Sequence, residues 1–384
     1  MIANVGAQPF RLFFLLTALD AIAGVAVWLA PALGIDPSGF APAGLPIFHR
    51  QELLYGAAPA MFAGVILTAL PRWTGQPAIP AFAVYALAAV WLAGRVLHVL
   101  APPVAAPAAA LYIGLLTSAV ASRVVPAKDR RNAKIVLLLA LLTAGAVTAG
   151  DQPAAAAGEF GTRVSLAAIL GILMVLGGRI VPAVTAAYLG KPANAFSSRW
   201  GKRIELGAGA TAALALTAWV MSPNLEAAAV ACAFAAAGQA VRLLQWQGWR
   251  ATANPGVFVL HVGYAWLALG FAFAAANPFF PGLALMDTAV HTWTAGAIGL
   301  CGLGVMSSMA RRYSGIAFQA PPLLSAAYAC GLAAAVSRLL WAFLADAGPV
   351  WSNLPALAWI AAYALFLCFF VQTQPKGKAA PVSA

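Results

Sequence analysis

Residues 256–276 read GVFVLHVGYAWLALGFAFAAA, a stretch that contains no charged side chain. A helix needs about 20 apolar residues to cross the hydrocarbon core of a bilayer. This stretch therefore predicts a transmembrane helix, and similar apolar runs, bounded by Pro, Gly, Asn or charged residues, fill most of the chain. Together they predict twelve transmembrane helices, at residues 10–33, 50–72, 79–101, 104–125, 133–150, 163–189, 203–222, 225–248, 256–276, 283–310, 322–345 and 351–373.

The composition of the 384-residue chain fits a membrane domain. Apolar residues make up 63% of the chain and charged residues 8%, against roughly a quarter in an ordinary soluble domain. The mean hydropathy is +0.87. These values exclude a soluble enzyme, a disordered chain and a nucleic-acid-binding protein, although the net charge is +12. The predicted fold class is all-α, with one polytopic domain over residues 1–384 that has the lipid membrane as its partner.

The distribution of Lys and Arg predicts the orientation of the helices, because these residues are retained on the cytoplasmic side. With twelve helices, both termini share one face with the loops that follow the even-numbered helices. Most of the 22 basic residues lie on that face, whereas the opposite face carries only Arg50 and Arg163. We therefore expect both termini to be cytoplasmic and the basic loops to face an anionic leaflet.

Four arginines fall within the predicted helices: Arg95, Arg179, Arg242 and Arg338. A charge at the bilayer centre costs about 2.5–3.5 kcal/mol on insertion scales, so such a residue usually has a partner and a function. Arg242 lies near a predicted cytoplasmic helix end, from which its side chain can extend to the interface. Arg95 and Arg338 lie deeper, where such extension explains them less well.

The four histidines, His49, His98, His261 and His291, all lie within predicted helices or at their edges. Imidazole is a common ligand of haem iron and of copper, and it introduces no net charge when neutral. The pattern therefore predicts that at least two of the four bind a metal or haem. Interhelical hydrogen bonding is the alternative.

A weak internal repeat connects these residues. The predicted helices 2, 6 and 10 end alike, at Gly75, Gly190 and Gly315. His49 precedes Gly75 and His291 precedes Gly315 by similar numbers of residues. Arg95 follows Gly75 and Arg338 follows Gly315, again by similar numbers of residues. This predicts a pseudo-threefold repeat of four helices, over residues 1–131, 132–254 and 255–384, as is common in membrane proteins.

The repeat suggests a haem b site. His49 and His291 would be the axial ligands of the iron, and Arg95 and Arg338 would pair with the two propionates, since a guanidinium binds a carboxylate in bidentate fashion.

Two further residues are candidates beside this site. Glu52 follows His49 by three residues, on the same helix face, and is a candidate catalytic or proton-handling carboxylate. His98 shares a helix face with Arg95. It is a candidate third ligand, for example to copper, or a partner of a propionate.

The sequence resembles the NnrS family of bacterial membrane proteins. The motifs that carry the resemblance keep the family's order along most of the chain: FRLFFL at 10–15, HRQE at 49–52, GVILTALPRWTG at 64–75, WLAGR at 91–95, GGRIVPAVT at 177–185, LHVGYAW at 260–266 and HTWTAGAIG at 291–299.

The resemblance implies a twelve-helix protein of the bacterial inner membrane that binds haem and, in the family, also copper. It implies a role in the response to nitric oxide, in denitrification or nitrosative stress. The family's His-x-His-Glu motif matches His49 and Glu52, but Gln51 replaces the second histidine, which puts the copper site in doubt. The family's Gly-Gly-Arg motif matches Arg179, which with His261 could form a second polar site that binds a cofactor. A purely structural polar cluster is the alternative.

The leading hypothesis is a haem b protein that binds, detoxifies or reduces nitric oxide, or a similar small apolar ligand. A reductase-like activity would need an electron donor, which the sequence does not identify. The alternative is a twelve-helix transporter for a metal or another small solute, with helices interrupted near Pro59 and Pro182.

Overall fold

The computed structural model describes residues 8–149, 156–192, 194–316, 318–344 and 349–374. It is 84% helical, with no strand among these residues. Twelve helices in the described ranges are long and apolar enough to cross a membrane, which confirms the predicted fold class. They are α1 Phe10–Ala26, α2 Leu45–Thr74, α3 Ala81–Leu100, α4 Ala105–Val124, α5 Arg130–Ala149, α6 Ala156–Tyr188, α7 Arg199–Met221, α8 Glu226–Gln245, α9 Pro255–Ala276, α10 Leu285–Tyr313, α11 Pro322–Trp341 and α12 Pro349–Gln372.

The largest differences from the predicted helix ends have local causes. α1 ends at Ala26, and short 3₁₀ turns follow around Pro31, whose ring and missing N–H end regular helix. α2 begins earlier than predicted, with Pro46 in its first turn, so that His49 lies within the helix. α6 also begins earlier, and its added turn contains an ion pair between Glu159 and Arg163 (3.9 Å).

The three glycines that mark the predicted repeat share one backbone conformation. Gly75, Gly190 and Gly315 follow α2, α6 and α10 with φ angles of 67°, 65° and 78°. Glycine adopts this left-handed conformation without the steric penalty that a Cβ would bring, which explains its use at these helix ends. The division of the chain into three repeats stays a prediction.

The helices form two compact units. Unit 1 comprises the described residues up to Ile169 together with those from Leu367 onwards, and unit 2 comprises the residues from Leu170 to Phe366. In unit 1, an aromatic group of Phe10, Phe14 and Phe370 is buried, with ring centroids 5.4–6.4 Å apart. In unit 2, Trp293 is fully buried beside Trp219 and Phe271.

Two helices contain a stretch of π-helix, in which each turn holds an extra residue. In α2 the wide turn covers Leu53–Ala57 and follows Glu52 directly. In α10 it covers Thr292–Gly299 and follows His291 directly. Such wide turns often occur at functional sites. Here they lie next to residues that the sequence selected as candidates.

Arg311 follows the predicted tenth helix directly, among the basic residues assigned to the cytoplasmic face, whereas in the structure it lies within the last turn of α10. Its side chain is fully buried, and the guanidinium donates to the carbonyl oxygens of Gln319 (3.0 Å) and Gly256 (2.9 Å). Arg311 therefore fastens the segment after α10 to the start of α9 within unit 2.

Candidate functional site

The first candidate site lies in unit 1, between α2 and α3. Arg95 Nη1 donates to Glu52 Oε1 (3.1 Å) and to the carbonyl oxygen of Gln51 (2.7 Å). His98 Nδ1 donates to the same Glu52 Oε1 (2.6 Å). The exposed fractions of Glu52 and His98 are only 4% and 2%. We call Glu52, Arg95 and His98 the unit 1 cluster. It brings together three candidates from the sequence, with Glu52 as the carboxylate that Arg95 binds.

α1 adds a second carboxyl group to this cluster, which the sequence analysis missed. The side chain of Asp20 is buried and lies within hydrogen-bond range of Glu52. Two glycines allow α1 and α2 to approach so closely. A Cβ on Gly24 would lie 2.8 Å from Glu52 Cβ, and a Cβ on Gly56 would overlap Asp20 Oδ2. The signal for Asp20 was present in the sequence, as a lone acid in the apolar run of the first helix.

His49 lies on α2, one turn before Glu52. The imidazole is half-buried beside Trp28 (5.4 Å between ring centroids), and Nδ1 donates to the carbonyl oxygen of Gly24 (3.2 Å). This hydrogen bond fixes the orientation of the imidazole ring. Metal-binding histidines are commonly oriented by such a bond to a backbone carbonyl.

The second candidate site lies in unit 2, between α10 and α11. Arg338 Nη2 donates to Asp287 Oδ2 (2.8 Å) and also lies 2.9 Å and 3.3 Å from the two ring nitrogens of His291. His291 Nδ1 donates to the carbonyl oxygen of Asp287 (3.0 Å). We call Asp287, His291 and Arg338 the unit 2 cluster. Two of the candidates from the sequence, His291 and Arg338, lie together here, and Asp287 joins them.

His261 has a different environment, in the core of unit 2. Thr185 Oγ1 donates to the carbonyl oxygen of Val181 (2.8 Å), so its interaction with His261 Nε2 (2.7 Å) requires the histidine to donate. Nδ1 is then the acceptor nitrogen, and it faces Gly248, where a Cβ would overlap it. Nδ1 has no partner among the described residues. The role of His261 as a metal ligand stays a prediction.

A third polar group in unit 2 corrects the expectation for Arg242. Its side chain is buried among protein groups and is not extended to the protein surface. It forms an ion pair with Glu205 (2.5 Å) and donates to the hydroxyl of Tyr264, which in turn donates to Gln239 Oε1 (2.6 Å). A single sequence does not show which helices pack together, so this pairing could not be predicted.

This group also explains part of the Gly-Gly-Arg motif. A Cβ on Gly178 would overlap the Arg242 guanidinium, and a Cβ on Gly177 would lie 3.1 Å from the ring of Tyr264. The two glycines therefore make room for side chains of α8 and α9. Arg179 itself is half-buried on α6. Its role in cofactor binding stays a prediction.

A compact metal site and a haem require different numbers of protein ligands. Among the described residues, no group of three or more His, Cys, Asp or Glu side chains is arranged to hold a metal ion. A haem iron can be held by fewer protein ligands, because a single imidazole can bind it. Haem binding by His49 stays a prediction. His49 belongs to unit 1 and His291 to unit 2, and their pairing on one iron stays a prediction.

Comparison with known proteins places the chain in a family. The family model described as NnrS protein matches residues 4–374, which is nearly the whole chain. A search of curated proteins gave no match. The match contains all of the candidate residues above, and the family resemblance noted in the sequence is confirmed. The chain belongs to the NnrS family.

Proposed function

We propose that this chain is a membrane-embedded haem b protein that binds nitric oxide and contributes to its detoxification or reduction. The observation that carries the proposal is the hydrogen bond of His49. Its Nδ1 donates to a backbone carbonyl, which orients the ring in the way that is common for metal-binding histidines. Membership of the NnrS family supports the same function.

Each unit also offers an arginine that could hold a haem propionate. In unit 1, Arg95 binds Glu52 through Nη1, while its buried Nε has no acceptor among the described residues. In unit 2, Arg338 is bound to Asp287, whose carboxylate is 57% exposed and could be replaced by another carboxylate. Bidentate pairing with a propionate would offset the desolvation of either guanidinium.

The chain's own residues could orient a ligand and handle protons. A bound haem, which His49 or His291 would hold, would supply an iron atom that binds a small gas. Reduction of nitric oxide consumes protons, and Glu52 and His98 form a buried, hydrogen-bonded pair that could carry them. Glu52 is therefore the carboxylate that we propose for this role.

The proposed location is the bacterial inner membrane, with both termini cytoplasmic. The twelve apolar helices support a membrane protein, and the distribution of basic residues supports the orientation. Nitric oxide is small and apolar and therefore partitions into lipid, where a haem held within the helices would meet it. The electron donor would act from outside this chain.

The main test is an absorption spectrum of the detergent-purified protein, oxidised, reduced, and reduced with nitric oxide, together with analysis for iron and copper. We expect a haem b spectrum that changes with nitric oxide. His49→Ala and His291→Ala should each lower the haem content or change the spectrum, and Arg95→Gln and Arg338→Gln should weaken haem retention. Arg203→Gln, at an exposed arginine, is the matched control. Protein without haem or metal would refute the proposal.

Copper is tested separately, because Gln51 replaces a histidine of the family motif. Gln51 is buried beside Glu52 on α2. If the missing histidine prevents copper binding, Gln51→His should raise the copper content of the protein. If His98 is a copper ligand, His98→Asn should abolish any copper that the natural sequence binds. Unchanged copper in both variants would remove His98 and position 51 from a copper site.

The transporter alternative has less support in the helices. α2 continues past Pro59, although it contains a wide turn, and α6 continues through Pro182. Neither helix is divided into the two half-helices that commonly line a transporter's central binding site. A protein that lacks haem but moves a metal ion into vesicles would nevertheless favour this alternative.

A further inference from the structure

We propose that Asp20 is a buried carboxylic acid that holds a proton inside the membrane at neutral pH and donates it in a hydrogen bond to the carboxylate of Glu52. This inference does not depend on haem, because it concerns only the protein's own side chains. It adds a proton-carrying group on α1 to the unit 1 cluster.

The first argument is the contact between two carboxyl groups. Asp20 on α1 and Glu52 on α2 lie within hydrogen-bond range, and both side chains are buried. A carboxylate has no hydrogen to donate, so a hydrogen bond between two carboxyl groups requires that one of them carry a proton. Two ionised carboxylates in contact would also repel each other strongly in a site without water.

The second argument decides which of the two carries the proton. Glu52 Oε1 accepts hydrogen bonds from Arg95 and His98, so an ionised Glu52 is compensated. Asp20 Oδ2 has no donor among the described residues. A buried oxygen without a donor is far less costly as the carbonyl oxygen of a neutral acid than as part of an ionised carboxylate. The proton is therefore assigned to Asp20.

The third argument is the charge of the whole site. The groups that face Asp20 are Glu52 from α2 and Arg95 from α3, and His98 and Tyr112 lie beside them. With Asp20 protonated, the negative charge of Glu52 is balanced by the positive charge of Arg95. Loss of the proton would leave one uncompensated negative charge in a buried site, which the membrane disfavours.

The site is also built for this contact. Asp20 Oδ2 lies against Gly56, and the Glu52 side chain lies against Gly24. Any larger residue at either position would separate the two helices or displace a carboxyl group. The result is a hydrogen-bonded series in which Asp20 and His98 both donate to Glu52, and which extends from α1 to α3.

Infrared spectroscopy of the detergent-purified protein at neutral pH tests the proposal. A protonated carboxyl group gives a C=O band that ionised carboxylates lack, and the chain has only ten Asp and Glu residues in which it could arise. We expect this band at pH 7, with a shift in D₂O. Asp20→Asn should abolish it, whereas Asp36→Asn, at an exposed aspartate, should leave it unchanged.

A second measurement needs no variant, in case Asp20→Asn does not fold. Protein made with carboxyl-¹³C aspartate should show the band displaced, and protein made with carboxyl-¹³C glutamate should show it in place. A band displaced only by the glutamate label would assign the proton to a glutamate and overturn the proposal. So would the absence of any such band at pH 7, or its persistence in Asp20→Asn. Loss of haem in the same variants would bear on the proposed function and not on this result.

Discussion

The unit 1 cluster and the unit 2 cluster use the same three residue types with different exposure. Each joins an acid, an arginine and a histidine from two neighbouring helices of the chain. In unit 1 the acid and the histidine are almost completely buried. In unit 2 the side chain of Asp287 is 57% exposed and that of His291 is 29% exposed. The unit 1 cluster is thus closed, and the unit 2 cluster is open.

The difference shows how burial determines what such a group requires. In the open cluster, water or lipid headgroups can solvate whatever part of Asp287 and Arg338 the ion pair leaves unpaired, so three residues are enough. In the closed cluster every charge needs a partner from the protein, because an unpaired charge in a site without water is very costly. This explains why Glu52 binds two donors. An open cluster is the better place for a ligand to enter, and a closed one is better suited to hold a proton.

The largest effect is expected from Glu52→Ala, which would leave Arg95 buried without its counter-ion. Removal of one partner of a buried ion pair typically costs about 3–5 kcal/mol, so we expect a strong fall in the thermal stability of the purified protein. Glu226→Ala, at an exposed glutamate, is the control and should change stability little. Equal losses in the two variants would contradict the description of the unit 1 cluster as closed.

The next largest effect is expected from Gly56→Ala. Its new methyl group would displace Asp20 from α2, at a cost of about 1–3 kcal/mol, as is typical of overpacking. Gly207→Ala on α7 is the matched control, since a Cβ there meets nothing within 4 Å. It should be neutral, or stabilise the helix by up to about 1 kcal/mol. A Gly56→Ala protein as stable as Gly207→Ala would mean that α1 and α2 do not pack closely at this point.

A smaller effect is expected from Asp287→Ala in the open cluster. Ion pairs that remain solvated contribute about 0–1 kcal/mol, and salt weakens them further. We therefore expect a loss of stability well below that of Glu52→Ala, and a smaller difference from the natural protein at high salt. The same thermal measurement, repeated over a range of salt concentrations, checks this. A loss as large as that of Glu52→Ala would remove the contrast between the two clusters.

The smallest effect is expected at the fully exposed Asp36, which precedes a short turn after α1. Its carboxylate accepts hydrogen bonds from the backbone N–H and the hydroxyl of Ser38, and these lower the pKa of Asp36 below its ordinary value of 3.8. A carboxyl whose pKa is lower in the folded state stabilises the fold at neutral pH, and this contribution disappears as the pH falls through the folded-state pKa. Asp36→Asn should therefore be slightly less stable than the natural protein at pH 7, and this small difference should disappear below about pH 4. Melting curves over this pH range provide the check.

The helices could be predicted well, because the bilayer imposes long apolar runs that a single sequence displays directly. The unit 2 cluster could be anticipated in part, since His291 and Arg338 stood out as polar residues in apolar helices. What could not be predicted was which acid each arginine would bind. That depends on how each helix is rotated toward its neighbour, and a single sequence does not contain this information.

Two omissions illustrate the point in physical terms. Asp20 carried the same signal as the deep arginines, because it is an ionisable group in an apolar run. A carboxyl group can be neutralised by a proton, however, so its burial does not require a charged partner in the way that the burial of an arginine does. Glu205 lies near the start of α7, where the sequence alone favours a position at the membrane–water interface. Its role becomes visible only once Arg242 of α8 is found beside it.

The wide turns in α2 and α10 have a consequence for how these helices can change. Each residue of a regular helix advances the side-chain direction by about 100°. A wide turn uses one residue more than an ordinary turn for nearly the same rotation about the helix axis. Deletion of one residue from Leu53–Ala57 would therefore convert the wide turn into an ordinary one, and the part of α2 that begins at Ala58 would keep nearly the same orientation relative to the part that carries His49. A codon lost at the wide turn would thus leave the second half of the helix in place, whereas a codon lost elsewhere in α2 would rotate everything beyond it by about 100°.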